Sequence, residues 1–152
     1  YSAAKFAVKG FTEALITDLR LNAPHVSCAV VMPGHIGTSI ALNTYDAAGL
    51  TAEQIGAVRQ RMVKAGAPVA ALPDDAIRQI MIQRGQDFRD NAPTTADQAA
   101  TIILDGVRAG RWRILVGDDA HRLDEMVRQD PERAYDDDFA TLWSAAKAPA
   151  AR

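Results

Sequence analysis

The chain has 152 residues, 48% of them hydrophobic, and a formal net charge of −2 at pH 7, which supplies a core of ordinary size but no apolar run long enough to span a bilayer and no signal-peptide pattern. Acids outnumber bases 19 to 17, and no basic patch interleaved with aromatics stands out, which argues against nucleic-acid binding. The single cysteine, Cys28, excludes a disulfide framework and points to a reducing, cytoplasmic setting.

A first helix is predicted from Tyr1 to about Leu21, ended by Asn22-Ala23-Pro24. Phe11, Leu15 and Leu19 form a core stripe along it. Ala3, Ala7, Gly10 and Ala14 form a second stripe of small residues. Glycine inside a helix costs about 1 kcal/mol relative to alanine, so close approach of another helix, from this chain or from a second subunit, is expected to compensate. Val26 to Met32 is a short apolar run rich in β-branched residues, the pattern of a buried parallel strand, and Cys28 within it reads as a core thiol. Pro33 ends the strand, Gly34 and Gly37 permit close backbone approach, and Thr38 offers a hydroxyl to cap a short helix.

Further along, Thr51 N-caps a helix running to Gly66 with Ile55, Val58 and Met62 at helical spacing. Beyond Pro68 and Pro73, Asp74 or Asp75 starts a short helix carrying Ile77, Ile80 and Met81. Thr94-Thr95-Ala96-Asp97 is a helix start, with Ala99, Ile102, Ile103 and Val107 as the apolar face and Ala109-Gly110 as the end. Trp112 to Val116 reads as a strand and Gly117 as the turn after it. Asp130-Pro131 opens a final helix through about Ala145, and residues 146–152 read as a frayed tail. The runs Asp118-Asp119 and Asp136-Asp137-Asp138 read as solvated or capping acids, with no metal site, because consecutive carboxylates on a helix do not face one another.

Chemistry concentrates at the start. In a helix, residues four apart share a face, so the Tyr1 phenol and the Lys5 ammonium point the same way. A cation held beside a phenol favours the phenolate and makes it a usable acid/base; the bland counterpart is an amphipathic helix with a solvated lysine. The Pro33-Gly34-His35-Ile36-Gly37-Thr38 loop falls beyond the carboxyl end of a strand, where open α/β sheets bind ligands. His35 is assigned no catalytic role.

Tyr1-Ser2-Ala3-Ala4-Lys5, the long helix, the apolar strand and Pro33-Gly34-x-x-x-Thr38 together resemble the classical short-chain dehydrogenase/reductase family. The likeness covers Tyr1 to about Thr38, with a looser match at Arg113-Ile114-Leu115-Val116-Gly117, which resembles that family's last strand. The resemblance implies an α/β fold: the C-terminal part of a doubly wound parallel-sheet (Rossmann-type) domain without its N-terminal dinucleotide-binding half. No Gly-x-x-x-Gly-x-Gly turn occurs in the chain, and the family's catalytic serine precedes its tyrosine. The implied layout is one partial domain, 1–152: catalytic helix, strand and loop over 1–38, a substrate lid over 39–95, a last helix–strand–helix over 96–145, and the tail.

The implied activity is hydride transfer between NAD or NADP and a small carbonyl or alcohol substrate. In it Tyr1 acts as general acid/base, and Lys5 supports Tyr1 and binds the nicotinamide ribose. Pro33, Gly34, Ile36 and Thr38 hold the nicotinamide carboxamide. The first helix pairs subunits in a homodimer or homotetramer. Ile40, Leu42, Tyr45, Leu50 and the methionines of the lid suit either an apolar substrate pocket or a core. The sequence as it stands is expected to be inactive alone. The alternative is a non-catalytic module of the same ancestry that acts in oligomerisation or binding.

Overall fold

A computed structural model describes residues 1–44, 49–139, 141 and 143. Tyr45 and the residues of the predicted tail lie outside that description. The chain divides into two units, Tyr1–Ile36 with Pro93–Arg152, and Gly37–Ala92.

In the first unit α1 (Ser2–Asn22) precedes β1 (Val30–Pro33). β1 pairs in parallel with β4 (Arg113–Val116), in the register Val30↔Arg113 to Pro33↔Val116. Bonds from Val30 N–H to Trp112 O and from Gly34 N–H to Val116 O close the ladder at its ends, at 2.8 and 2.9 Å. Parallel strands need a long crossover. Between these two run β2 (Ile36–Gly37), the helices of the second unit, β3 (Thr94–Thr95) and α5 (Ala96–Arg108). β2 and β3 pair in a separate two-stranded ladder. α6 (Asp118–Gln129) follows β4, and then a 3-10 turn, Glu132–Tyr135.

The core of this unit is Ala99, Ile114 and Val116, with Ala29, Ile36 and Ile103 packed around them. α5 and α6 both pack on β4, so β4 is the strand that the helices cover. β1 is shorter and less buried than its sequence predicts. Val26 to Ala29 lies outside the strand, Val30 is buried, and Val31 is exposed. A parallel strand becomes wholly buried only when layers cover both faces, and β1 has a neighbour on one edge alone among the described residues.

α1 matches its predicted span but has no buried residue. Leu15 and Leu19 are half-buried, whereas Phe11 is 68% exposed and so leaves the expected core stripe. A Cβ placed on Gly10 meets no atom within 4 Å, so no helix of this chain closes on the small-residue stripe among the described residues. In α5, Ala99 is buried and Ile103 joins the core, but Ile102 and Val107 are exposed. Its inward stripe is narrower than the spacing suggests.

The second unit is helical: α2 (Ile40–Thr44), α3 (Ala52–Lys64) and α4 (Asp74–Asp90). α2 begins two residues after Thr38, so Thr38 is not its cap. The Thr51 hydroxyl accepts from Gln54 N–H while the Gln54 side chain accepts from Thr51 N–H, a reciprocal cap that satisfies two otherwise orphaned donors. α4 extends over 17 residues, longer than predicted, since nothing in Ala76–Arg89 breaks it before Asn91. Arg59 of α3 pairs with Asp74 at the start of α4. Ile55, Met62, Val69 and Ile77 form the core, and Leu50, Val58, Ile80 and Met81 pack against it. Met62, Met81 and Leu50 are therefore core residues here, the second of the two roles open to them.

The largest departure lies after β4. Gly117 is the N-cap of α6, and Asp130 ends that helix where the sequence predicts one to start. Pro131 leads into the short 3-10 turn, and further along the predicted span Phe139, Thr141 and Trp143 are helical. Asp118 and Asp119 occupy the first turn of α6, where carboxylates meet the positive end of the helix dipole. Arg113 donates two hydrogen bonds to Asp124, and Arg128 donates a third at 3.0 Å, tying α6 to β4. No described helix is long and apolar enough to cross a membrane.

Candidate functional site

α1 starts at Ser2, and the Lys5 N–H donates to the Tyr1 carbonyl at 3.1 Å, so the first turn sets both side chains on one face. The Lys5 ammonium stands 5.3 Å from the centroid of the Tyr1 ring, a cation–π contact. Tyr1 itself is 93% exposed, so its phenol is open to a partner molecule. Among the described residues, no hydrogen bond or ion pair joins Tyr1 or Lys5 to the Pro33–Ile36 segment.

That segment leaves the carboxyl end of the β1–β4 pair and is held at several points. Pro33 is in register with Val116, and Gly34 N–H donates to Val116 O. His35 N–H donates to Asp119 Oδ2 at 2.7 Å. The Ile36 side chain packs into the core beside Ile114 and Val116, and its backbone enters the β2–β3 ladder. The structure thus brings Pro33, Gly34 and Ile36 into one fixed turn. Thr38 is half-buried and belongs to the second unit.

Asp119 is the residue that sequence reasoning missed here. The acidic run reads as solvated or capping, and Asp118 is exposed at the first turn of α6, but the Asp119 side chain is buried. One carboxylate oxygen accepts the His35 N–H and the other accepts Ala120 N–H at 3.0 Å. A Cβ on Gly34 would overlap this carboxylate, lying 2.6 Å from Oδ2 and closer still to Oδ1. Gly117 has φ +96, and a Cβ there would lie 2.7 Å from Asp119 Oδ1 and 2.8 Å from the Thr94 hydroxyl. Two glycines therefore wall the slot in which Asp119 sits. The available signal was Gly117-Asp118-Asp119 directly after a strand, a glycine followed by two acids at a helix start.

An open cleft of about 510 Å³ is lined by Thr94, Asp97, Gln98, Gly117 and Asp118. Two carboxylates on its wall make it a poor seat for a pyrophosphate.

No family model matches the chain, and no solved structure does. The chain is similar to "Putative oxidoreductase SadH" of Mycobacterium tuberculosis. The identity is 29% over 128 residues, in the form from strain CDC 1551 / Oshkosh and in the form from strain ATCC 25618 / H37Rv alike. The match takes in 84% of this chain and 36% of each relative, so the chain spans little more than a third of the length of the curated relatives it matches. The aligned 128 residues exceed what either unit contains alone, so the likeness is not confined to one of them.

Proposed function

We propose that this chain carries the Tyr–Lys pair and the nicotinamide-side loop of an NAD(P)-dependent short-chain dehydrogenase/reductase. The observation that carries the reading is the Pro33–Ile36 turn, fixed beyond the carboxyl ends of two parallel strands on a chain that opens with Tyr1-x-x-x-Lys5. Similarity to an oxidoreductase supports it independently. β1 and β4 would be neighbouring strands of a doubly wound parallel sheet, extended from the open edge of β1. Residues 39–95 would cover the substrate, and α1 would pair subunits.

The groups present suit a nicotinamide in one respect. Gly34 and His35 N–H are already engaged by Val116 and Asp119, so the turn's remaining backbone groups are fixed and can recognise a carboxamide without first being ordered. When bound, the dinucleotide supplies or receives the hydride. Tyr1 gives a proton to the substrate oxygen or takes one from it, and Lys5 stands over the Tyr1 ring and reaches the ribose hydroxyls. Backbone groups at Pro33, Gly34 and Ile36, with the Thr38 hydroxyl, would hold the carboxamide of the nicotinamide.

The second reading, a non-catalytic assembly module, draws on the exposed apolar side chains of α1: Tyr1, Phe6, Val8, Phe11 and Leu21. One experiment separates the two. The protein expressed from its complete natural reading frame is mixed with NADH or NADPH deuterated at the reacting carbon and with a panel of small aldehydes and ketones. Deuterium appearing in an alcohol product is the expected result. A protein that assembles but binds neither dinucleotide supports the module.

A further inference from the structure

We propose that Asp119 is a positioning residue that sets the backbone of the Pro33–Ile36 turn for nicotinamide recognition. The proposal rests on the dehydrogenase reading above and adds to it a residue from the far end of the chain, 84 positions from the turn it holds.

The geometry is that of a built brace. Asp119 is 5% exposed, and among the described residues no lysine or arginine pairs with it. A buried carboxylate without a cation is costly unless hydrogen bonds and dipoles compensate. Here both oxygens accept backbone N–H bonds, one from His35 and one from Ala120, and the group lies in the first turn of α6, where the helix dipole favours negative charge. The slot exists only because Gly34 and Gly117 lack side chains. Gly34 therefore has a reason to be glycine other than contact with a ligand: its missing Cβ is the space that Asp119 fills.

Beside the β2–β3 ladder at Ile36–Gly37, three contacts hold the turn. Gly34 N–H is tied to the end of β4, His35 N–H to the start of α6, and the Ile36 side chain to the core between them. The bonds from Gly34 and His35 both run to the Val116–Asp119 segment, so the strand-to-helix corner after β4 helps to set the corner after β1. A loop held in this way loses less conformational freedom on binding. Without the carboxylate, the bond from His35 N–H to the start of α6 is lost, and the turn is held less tightly to that helix.

The test compares wild type, Asp119→Leu and Asp119→Ala, all expressed from the complete reading frame, by two readouts. The first is amide hydrogen exchange. In Asp119→Leu, which keeps size but offers no acceptor to either N–H donor, exchange at His35 should speed up at least about tenfold, with Ile114–Val116 unchanged. The second is the dissociation constant of NADH and NADPH, expected to rise about tenfold or more while KM for the carbonyl substrate moves less than about twofold. Unfolding of Asp119→Ala would not obscure the outcome, because the isosteric variant carries both readouts.

Unchanged His35 exchange in Asp119→Leu overturns the brace. Faster exchange with unaltered dinucleotide affinity overturns its role in recognition. Failure of the underlying reading is distinct: the wild type would then bind neither dinucleotide, and the recognition role falls with it whatever the exchange shows.

Discussion

A single carboxylate connects the two ends of the first unit at the residue scale. Asp119 fits because Gly34 and Gly117 leave room for it, which makes a size-compensation experiment possible. Gly34 does not have a positive φ, so Gly34→Ala adds a methyl without backbone strain and should cost about 1–3 kcal/mol by overpacking against the carboxylate. In an Asp119→Ala background the same methyl has space, and its cost should fall to a few tenths of that. Thermal or denaturant unfolding of the four proteins measures the coupling; additive costs would contradict the shared slot. Asp124 makes a different prediction, about pH. Hydrogen bonding by Arg113 outweighs burial and, with help from Arg128, holds its carboxyl below the usual carboxylate range. Folding thus lowers its proton affinity, and the stability it contributes is complete above about pH 4 and lost as pH falls through the lower folded value. Both side chains are mostly buried, 15% exposed for Arg113 and 17% for Asp124. Asp124→Asn should therefore cost about 2 kcal/mol at pH 7, with the gap from wild type closing as pH falls below about 4. A gap that stays constant down to pH 2 would show that the pair contributes no charge-dependent stability.

What was legible at the level of elements depended on whether local chemistry or tertiary packing decided the outcome. Thr51 and Thr95 announced their helices because a capping hydroxyl with glutamine three residues on is a self-contained signal, and both close reciprocal caps. Thr95→Ala should cost about 1 kcal/mol and fray the first turn of α5, visible as faster exchange at Gln98. Intact protection there would argue that the core alone holds α5. α6 was not legible in the same way. Its sequence is crowded with charge, and its start is fixed by a positive-φ glycine and by a carboxylate that turns inward. Asp130-Pro131 is as good a helix start as a stop when read locally, and the packing of α6 on β4 decides between them. Likewise the Phe11-Leu15-Leu19 stripe has the right period, but periodicity states which residues share a face and not what covers that face.

Across the first unit, one strand is covered by helices, the other is paired along a single edge among the described residues, and α1 buries none of its residues completely. The candidate site divides along the same line. The loop residues Pro33, Gly34 and Ile36 are fixed by contacts that the structure contains. Among the described residues, Tyr1 and Lys5 are held by their own helix and by each other. The sequence pattern named all of these residues, since a motif survives as spacing, whereas the brace behind the loop depends on a meeting of residues 84 positions apart that no spacing reveals.

On the proposed dehydrogenase function, Tyr1 moves the proton that accompanies hydride transfer. The measurement to make is the rate of NAD(P)H-dependent carbonyl reduction by the protein from its complete reading frame, wild type against Tyr1→Phe. The ring and its contact with Lys5 are kept, and only the hydroxyl is lost. The expected result is a fall in kcat of roughly 10²- to 10⁴-fold, the range for removing a general acid, with the dinucleotide dissociation constant changed little. A Tyr1→Phe enzyme that reduces carbonyls at the wild-type rate would contradict it.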